Sequence, residues 1–309
     1  MKKPRRTPPR RLSAELRERR AEARESSRAK PEFIEPTKTP RADQGTSRRR
    51  GGHEPERLRE RRIRIHGFNA VLALFPSEID RLRRLYLKSE RAHALGPRLR
   101  ELARRNIAYR IVGEDDLRRL TGTEHHQGIA ADLVDEGPVS LEAYLADLEG
   151  TKSAEPRALL WLDGVMNPHN LGAILRSAAH FGVGGVLIGE DSPLNRPSGA
   201  IARVAEGGLF AMPRIALGDR LKAMEQLRSA GFAILATVVE GGESLFDVDL
   251  PSRIVFILGA EGAGMDEDLR AAADRRLTIP GSGAVESLNV SAAMAVFFAA
   301  FRAKHPVAS

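Results

Sequence analysis

Two groups of polar side chains in this sequence have types that could bind or orient a reacting group. In N-P-H-N-L-G-A-I-L-R-S-A (167–178), Arg176 lies on a predicted helix, roughly opposite its apolar stripe, and Asn170 stands where that helix begins. In E-S-L-N-V-S (286–291), Ser287 and Asn289 stand where an apolar helix begins. A fixed guanidinium can hold an anion, and amides and hydroxyls can orient a reacting group. Each residue alone is also an ordinary helix cap or surface residue.

A third string, F-I-L-G-A-E-G-A-G-M (256–265), takes an apolar strand into a glycine-rich loop that carries one carboxylate, Glu261. Glycines let backbone N–H and C=O groups approach a ligand closely. The glycines run G-x-x-G-x-G, whereas a dinucleotide fingerprint runs G-x-G-x-x-G, which disfavours a dehydrogenase. His125 and His126 have no third ligand at metal spacing, so we expect no metal site.

The elements that position these residues alternate between strand and helix from Ala158 onward. Near-continuous apolar strands separated by helices indicate an α/β domain with a parallel sheet buried on both faces. The predicted strands are Leu159–Leu162, Gly185–Ile188, Ile234–Val239, Ile254–Leu258 and Leu277–Ile279. The predicted helices are Leu171–Phe181, Gly199–Ala205, Arg220–Ala230, Asp266–Ala273 and Val290–Arg302.

The rest of the chain divides into three parts. Residues 63–136 alternate between strands and helices, including one long predicted helix over Glu90–Asn106, and form a small α/β domain. Residues 137–157 are polar with a short helical piece, and we expect a domain linker there. Residues 1–62 hold 21 Lys and Arg against 10 Asp and Glu, with few large apolar side chains, which predicts a disordered basic tail. Such a tail is either a solvating arm or an arm that binds RNA phosphates.

Composition excludes several classes of protein. The chain has no cysteine, which rules out disulfides and thiolate metal sites. No apolar run approaches the roughly 20 residues that span a bilayer, and no secretory signal follows the basic start. We therefore expect no membrane partner and a cytoplasmic location.

Together the three strings resemble the signature motifs of the SpoU (TrmH-like) RNA 2′-O-ribose methyltransferases of the SPOUT class. The phrases N-P-H-N-L-G and A-H-F-G-V-G-G-V look most like the extended tRNA/rRNA methyltransferase branch. H-G-F-N-A-V (66–71) and T-G-T-E-H-H-Q-G-I-A-A (121–131) resemble the family's L30e-like substrate-binding domain. Two residues depart from the family pattern: Ala260 replaces a common asparagine, and Gly281 replaces a common methionine.

The resemblance implies methyl transfer from S-adenosylmethionine to a ribose 2′-hydroxyl of rRNA or tRNA. It also implies a C-terminal trefoil knot, which is rare among protein chains, and a homodimer. The implied catalytic residues are Asn170, Arg176, Glu261, Ser287 and Asn289. The implied cofactor-binding residues are Thr237, Leu258, Gly259, Gly262, Ile279 and Leu288.

The resemblance leaves the role of Arg176 open. Family proposals make this arginine the base, although a guanidinium loses its proton reluctantly. An equally good interpretation keeps it a cation that clamps phosphate and stabilises the developing alkoxide. Two alternatives to the enzyme remain: a non-catalytic RNA-binding or ribosome-assembly protein on the same fold, and a Rossmann oxidoreductase. Cofactor binding would distinguish the non-catalytic protein from the enzyme.

Overall fold

The computed structural model describes residues 60–150, 155–260, 262 and 264–306. The predicted disordered tail lies outside the described residues, except for residues 60–62. Within the described part, the chain forms two sheets with helices packed on them. None of the helices in these ranges is long and apolar enough to cross a membrane.

The smaller sheet has four strands in the order β1-β4-β2-β3, with both parallel and antiparallel pairs. Its strands are β1 (Arg62–His66), β2 (Leu82–Leu87), β3 (Ala108–Ile111) and β4 (Ile129–Val134). Its helices are α1 (Phe68–Leu72), α2 (Leu74–Ser77), α3 (Ser89–Ala94), α4 (Gly96–Arg104) and α5 (Glu114–Thr121), with a 3₁₀ turn at Ile79–Arg81.

One helix prediction in this sheet's domain was wrong in detail. The single helix expected over Glu90–Asn106 is two helices, α3 and α4, which meet at Leu95. Pro97 lies in the first turn of α4, where the missing N–H of proline costs no hydrogen bond. The proline therefore starts a second helix inside the segment whose amphipathic pattern predicted a single helix.

The larger sheet has eight strands in the order β10-β12-β9-β11-β6-β7-β8-β5, and all of its pairs are parallel. Its strands are β5 (Val139–Ser140), β6 (Arg157–Leu162), β7 (Val186–Ile188), β8 (Arg214–Ala216), β9 (Ala233–Thr237), β10 (Glu243–Ser244), β11 (Arg253–Leu258) and β12 (Arg275–Thr278). Its helices are α6 (Leu141–Gly150), α7 (Pro168–His180), α8 (Gly199–Ala205), α9 (Arg220–Ser229), α10 (Glu267–Ala272) and α11 (Val290–Lys304), with 3₁₀ turns at Pro193–Asn195 and Gly208–Phe210.

Successive side chains of the central strands point to opposite faces of the large sheet, and each face packs against an apolar core. In β6, Leu160 and Leu162 join the core on one face, whereas Leu159 and Trp161 join the core on the other. The first core includes residues of α7, α8 and α11, and the second includes residues of α6, α9 and α10. The predicted α/β fold, with a parallel C-terminal sheet after a small α/β domain, is confirmed. The trefoil knot stays a prediction.

The two sheets are joined by close packing along α8. Gly199, its first residue, lies so near His66 of β1 that a Cβ atom there would be 2.3 Å from the imidazole Nδ1. The core of the small sheet continues into the core beneath α7 and α8. A second link between the sheets is the buried carboxylate of Asp135, which forms salt bridges with Arg61 at 3.1 Å and with Arg214 of β8 at 2.5 Å.

The segment 137–157 carries more structure than a linker needs. Its strand β5 pairs with β8 at the edge of the large sheet. Its helix α6 buries Leu141, Tyr144, Leu145 and Leu148 against the second core. Residues 151–154 lie outside the described residues, and the predicted domain boundaries stay predictions.

Candidate active site at the carboxyl edge of the parallel sheet

The carboxyl ends of four adjacent parallel strands, β12, β9, β11 and β6, meet at one edge of the large sheet. Open parallel sheets bind ligands at this edge, because the connecting loops there converge. Thr237 ends β9 and donates its hydroxyl proton to the Ile257 carbonyl oxygen across 2.9 Å. Leu258, which ends β11, is buried, and Ile279 follows β12 half-buried against the core.

The loop after β11 is a tight turn. Ala260 and Gly264 exchange two backbone hydrogen bonds of 2.9 Å. Gly262 and Gly264 have φ angles of 82° and 75°, which L side chains rarely adopt. At Gly259 the loop returns so closely that a Cβ atom would lie 2.4 Å from the Met265 nitrogen. Glu261 lies outside the described residues, so its role stays a prediction.

A buried carboxylate that sequence reasoning missed joins this turn to β6. The Asp163 backbone N–H donates to the Leu258 carbonyl oxygen at 2.9 Å. The Asp163 side chain, 7% exposed, accepts from the Asp266 N–H at 3.0 Å and pairs with Arg220 at 3.1 Å. Its sequence signal was an aspartate directly after the apolar run A-L-L-W-L. Asp163 therefore fixes the loop after β11 against the end of the neighbouring strand.

The first and third motifs meet through two asparagines. Asn289 Nδ2 donates to Asn170 Oδ1 across 3.3 Å. Asn289 also caps α11, since its Oδ1 accepts from the Ser291 N–H at 2.9 Å. Asn170 is not the cap of α7, because Asn167 takes that position and accepts from the N–H groups of residues 169 and 170. Capping therefore does not occupy the Asn170 side chain.

The loop between β12 and α11 presents polar and apolar side chains to solvent. Ser287 is exposed, Leu288 is 49% exposed and Val285 is 71% exposed. Large apolar side chains held at a surface beside glycine-rich backbone suit the flat face of an adenine. This loop and the turn after β11 carry most of the predicted cofactor-binding residues, and their role stays a prediction.

Arg176 lies apart from the asparagine pair. Six residues of helix separate it from Asn170, so the two side chains leave α7 about 120° apart. The Arg176 guanidinium pairs instead with Glu206, with 3.1 Å between Nη2 and Oε2. Arg176, Glu206, Ser177 and His180 line an open groove of about 380 Å³. The arrangement thus has two parts, the asparagine pair at the start of α11 and the arginine that lines this groove.

In the ranges that the structure describes, no group of three His, Asp or Glu side chains could hold a metal ion. The buried His126 instead lies 3.1 Å from Glu114 and accepts from the Gly128 N–H through Nδ1. The roles of the predicted catalytic and cofactor-binding residues stay predictions.

Comparison with known proteins identifies the family to which the sequence is similar. Residues 157–299 match the SpoU rRNA Methylase family model, and residues 64–136 match the model for RNA 2′-O ribose methyltransferase substrate binding. A 23S rRNA (guanosine-2′-O-)-methyltransferase, RlmB of Nitrosomonas europaea, is 36% identical over 241 residues, which are 77% of this chain and 90% of RlmB. The uncharacterized tRNA/rRNA methyltransferase YfiF of Escherichia coli O157:H7 is 33% identical over 259 residues, covering 83% of this chain and 73% of YfiF.

A solved structure shares the fold. The SpoU methyltransferase AviRb from Streptomyces viridochromogenes, in complex with the cofactor AdoMet, superimposes with a TM-score of 0.63. The match covers 82% of this chain and 94% of AviRb at 22% identity. The two sequence relatives are 33% and 36% identical to this chain over alignments that cover 73% and 90% of their own length. The chain belongs to the SpoU rRNA methylase family.

Proposed function

We propose that this protein transfers a methyl group from S-adenosylmethionine to a ribose 2′-hydroxyl of rRNA or tRNA. The observation that carries the proposal is the hydrogen bond from Asn289 to Asn170, since it joins the first and third family motifs. RlmB of N. europaea, a close relative by sequence, is named for this reaction on guanosine of 23S rRNA. AviRb, which has the same fold, binds AdoMet.

The cofactor fits the loops after β9, β11 and β12. At Gly259 the returning backbone of Gly264 and Met265 leaves no room for a Cβ atom, so glycine is needed to keep the turn after β11 closed. The residues proposed to hold the nucleoside are Thr237, Leu258, Gly259, Gly262, Ile279 and Leu288. When bound, S-adenosylmethionine supplies an electrophilic methyl carbon, so the protein need only position the acceptor and remove its proton.

The polar residues of the site act on the ribose that accepts the methyl group. Asn170 and Asn289, fixed against each other, orient the ribose, and Ser287 and Glu261 contribute further polar contacts. Arg176 acts on the 2′-hydroxyl or on the neighbouring phosphate. As a base it takes the hydroxyl proton itself. As a cation it stabilises the alkoxide while the proton passes to water, and its planar fork suits a phosphate.

The remaining parts of the chain take supporting roles. The domain formed by residues 63–136 binds the RNA, and residues 1–62, with a net charge of +11, add contacts to phosphate. Two copies associate through the methyltransferase domain, residues 158–309. The reaction takes place in the cytoplasm.

The proposal is tested with S-adenosylmethionine carrying a labelled methyl group and total RNA from a strain that lacks the gene. A 2′-O-methyl group blocks alkaline cleavage of the adjacent phosphodiester bond, because that cleavage needs the free hydroxyl. We expect the label in alkali-stable dinucleotides. Label in single nucleotides would mean methylation of a base, and an unlabelled RNA pool would argue for a non-catalytic RNA-binding protein.

A further inference from the structure

The partner of Arg176 is a residue that no family motif assigned to the site. Glu206 directly follows α8, and its Oε2 lies 3.1 Å from Arg176 Nη2. The arginine side chain is 59% exposed and the glutamate side chain 35% exposed. An ion pair this exposed contributes little to stability, since solvent screens it. The ion pair therefore matters for where it holds the Arg176 guanidinium, and not for the stability of the fold.

The backbone at Glu206 has a conformation that glutamate rarely adopts. Its φ and ψ angles are 47° and 41°, in the left-handed region. Of the residues that the structure describes, Asn106 and Gln127 are the other non-glycine residues with positive φ. Glycine would occupy this position without strain, and the next two residues are glycines. A strained glutamate persists where its side chain has a use.

The segment that carries Glu206 is fixed directly against the backbone of Arg176. A Cβ atom at Gly208 would lie 2.6 Å from the Leu175 carbonyl oxygen and 3.0 Å from the Arg176 Cα. On the other side, a Cβ atom at Gly207 would lie 2.6 Å from the Cβ of Ala73 in the substrate domain. The two glycines therefore place the carboxylate at a set distance from the Arg176 backbone.

We propose that Glu206 is a positioning residue, which holds the Arg176 guanidinium in one orientation over the groove before RNA binds. This inference rests on the proposed function, in which Arg176 acts on the ribose or its phosphate. The carboxylate engages Nη2, so the other guanidinium N–H groups remain for the substrate. Without the Glu206 carboxylate, the long and largely exposed Arg176 side chain samples many rotamers. Ordering this side chain then adds to the activation free energy of the reaction.

The first test compares Glu206→Gln with wild type at saturating RNA and S-adenosylmethionine. Glutamine keeps the size of the side chain and the strained backbone but removes the charge. We expect kcat to fall roughly tenfold to a hundredfold, as for a misplaced catalytic group, with the RNA KM nearly unchanged. Glu243→Gln is the matched control, since Glu243 pairs with Arg275 at 2.6 Å on the edge strand β10. A wild-type kcat for Glu206→Gln would overturn the proposal.

A second variant separates positioning from a structural role. Glu206→Gly relieves the left-handed strain, so the melting temperature should rise or hold while kcat falls as in Glu206→Gln. A purely structural residue would instead lower the rate together with the stability. A glycine variant that is less stable and proportionally slower would therefore contradict positioning.

The decisive test repeats Glu206→Gln in an Arg176→Ala background. If Glu206 acts only through Arg176, the second substitution should leave the residual rate unchanged. The same fold-loss in both backgrounds would show that Glu206 acts by another route and would overturn the proposal.

A measurement that does not depend on turnover tests the positioning role of Glu206 separately from the proposed function. Nitrogen NMR of the arginine side chains, with Arg176 assigned through Arg176→Lys, reports rotation of the guanidinium. We expect slow rotation in wild type and faster rotation in Glu206→Gln. Unchanged rotation would refute positioning even in an active enzyme, whereas changed rotation in an inactive wild type would refute only the proposed function.

Discussion

Asn289 Nδ2 donates to Asn170 Oδ1 across 3.3 Å, although 119 positions of sequence separate the two residues. The same Asn289 side chain caps α11 through its Oδ1. The Asn289 amide therefore has two roles. Its oxygen caps α11, and its nitrogen donates to Asn170 in the first motif. A substitution can remove one role and keep the other.

Asn289→Asp makes that separation. A carboxylate caps a helix as well as an amide does, so stability should change by less than ~0.5 kcal/mol. The donor to Asn170 disappears, and Asn170 can restore a bond only by turning its own amide, which changes the group facing the substrate. We expect methyl transfer to fall about a hundredfold, typical for a lost polar contact to the reacting centre.

Thermal unfolding and initial rates are measured together for Asn289→Asp and Asn289→Ala. The alanine variant should lose activity and also about 1 kcal/mol of stability, because it loses the cap. An Asn289→Asp enzyme with the wild-type rate would show that the bond between the motifs serves only the fold.

Gly259→Ala tests the cofactor turn. The added methyl group would lie 2.4 Å from the Met265 nitrogen, so the turn must open. We expect S-adenosylmethionine to bind at least tenfold more weakly, with a loss of about 1–3 kcal/mol in stability from overpacking. Titration calorimetry measures the affinity. Gly150→Ala is the control, since nothing lies within 4 Å of a Cβ atom there. Unchanged affinity in Gly259→Ala would remove this turn from the cofactor site.

His66 predicts how stability depends on pH. Burial against α8 lowers the pKa of His66 to about 4, with smaller contributions from Arg203 and from two neighbouring histidines. In the unfolded chain the histidine pKa is about 6.5, so between these values only the unfolded state binds the proton. This contribution to stability is complete above pH 6.5 and is lost as the pH falls towards 4, by about 3 kcal/mol in all.

The measurement is denaturant unfolding of wild type and His66→Asn from pH 7 to pH 4.5. The variant should lose less stability over this range than wild type. His93→Asn serves as the control, because His93 is exposed and bonds to the Ser89 carbonyl oxygen of its own helix. Parallel curves for wild type and His66→Asn would contradict the neutral, buried state of this histidine.

Deleting residues 1–55 tests the basic segment. Fewer lysines and arginines release fewer counterions from RNA, so the slope of log K against log salt should become shallower. The deletion ends before Glu60 and Arg61, which pair with Arg83 and Asp135. The melting temperature should stay within ~2 °C of wild type, because the deletion leaves these ion pairs in place. A large drop in melting temperature would mean that the segment contributes to the fold.

The strands that the sequence predicted are those with long apolar runs. β6 and β11 alternate between two cores, and their apolar runs predicted them to within two residues. The two-residue strands β5 and β10, and the three-residue β8, were missed. The three-residue β7 was predicted because V-L-I is wholly apolar, whereas β5, β8 and β10 have neither an apolar run nor a periodicity to detect.

The site was predictable where a motif is local in sequence. Asn170 and Asn289 were both identified, but their contact depends on how α7 and α11 pack, which no local pattern contains. Asp163 and Glu206 were missed for the same reason, since their partners lie far along the chain. Glu206 also looked like an unremarkable charged residue at the end of a helix, because its backbone angles are not visible in the sequence.

The central claim is that this protein methylates a ribose 2′-hydroxyl with Arg176 at the reacting group. Its most direct test maps 2′-O-methylation across total RNA from a deletion strain, complemented either with wild type or with Arg176→Ala. We predict that one 2′-O-methylated nucleotide disappears on deletion, returns with wild type, and stays absent or reduced by roughly two to four orders of magnitude with Arg176→Ala. An unchanged 2′-O-methylation map in the deletion strain, or full restoration by Arg176→Ala, would contradict the account.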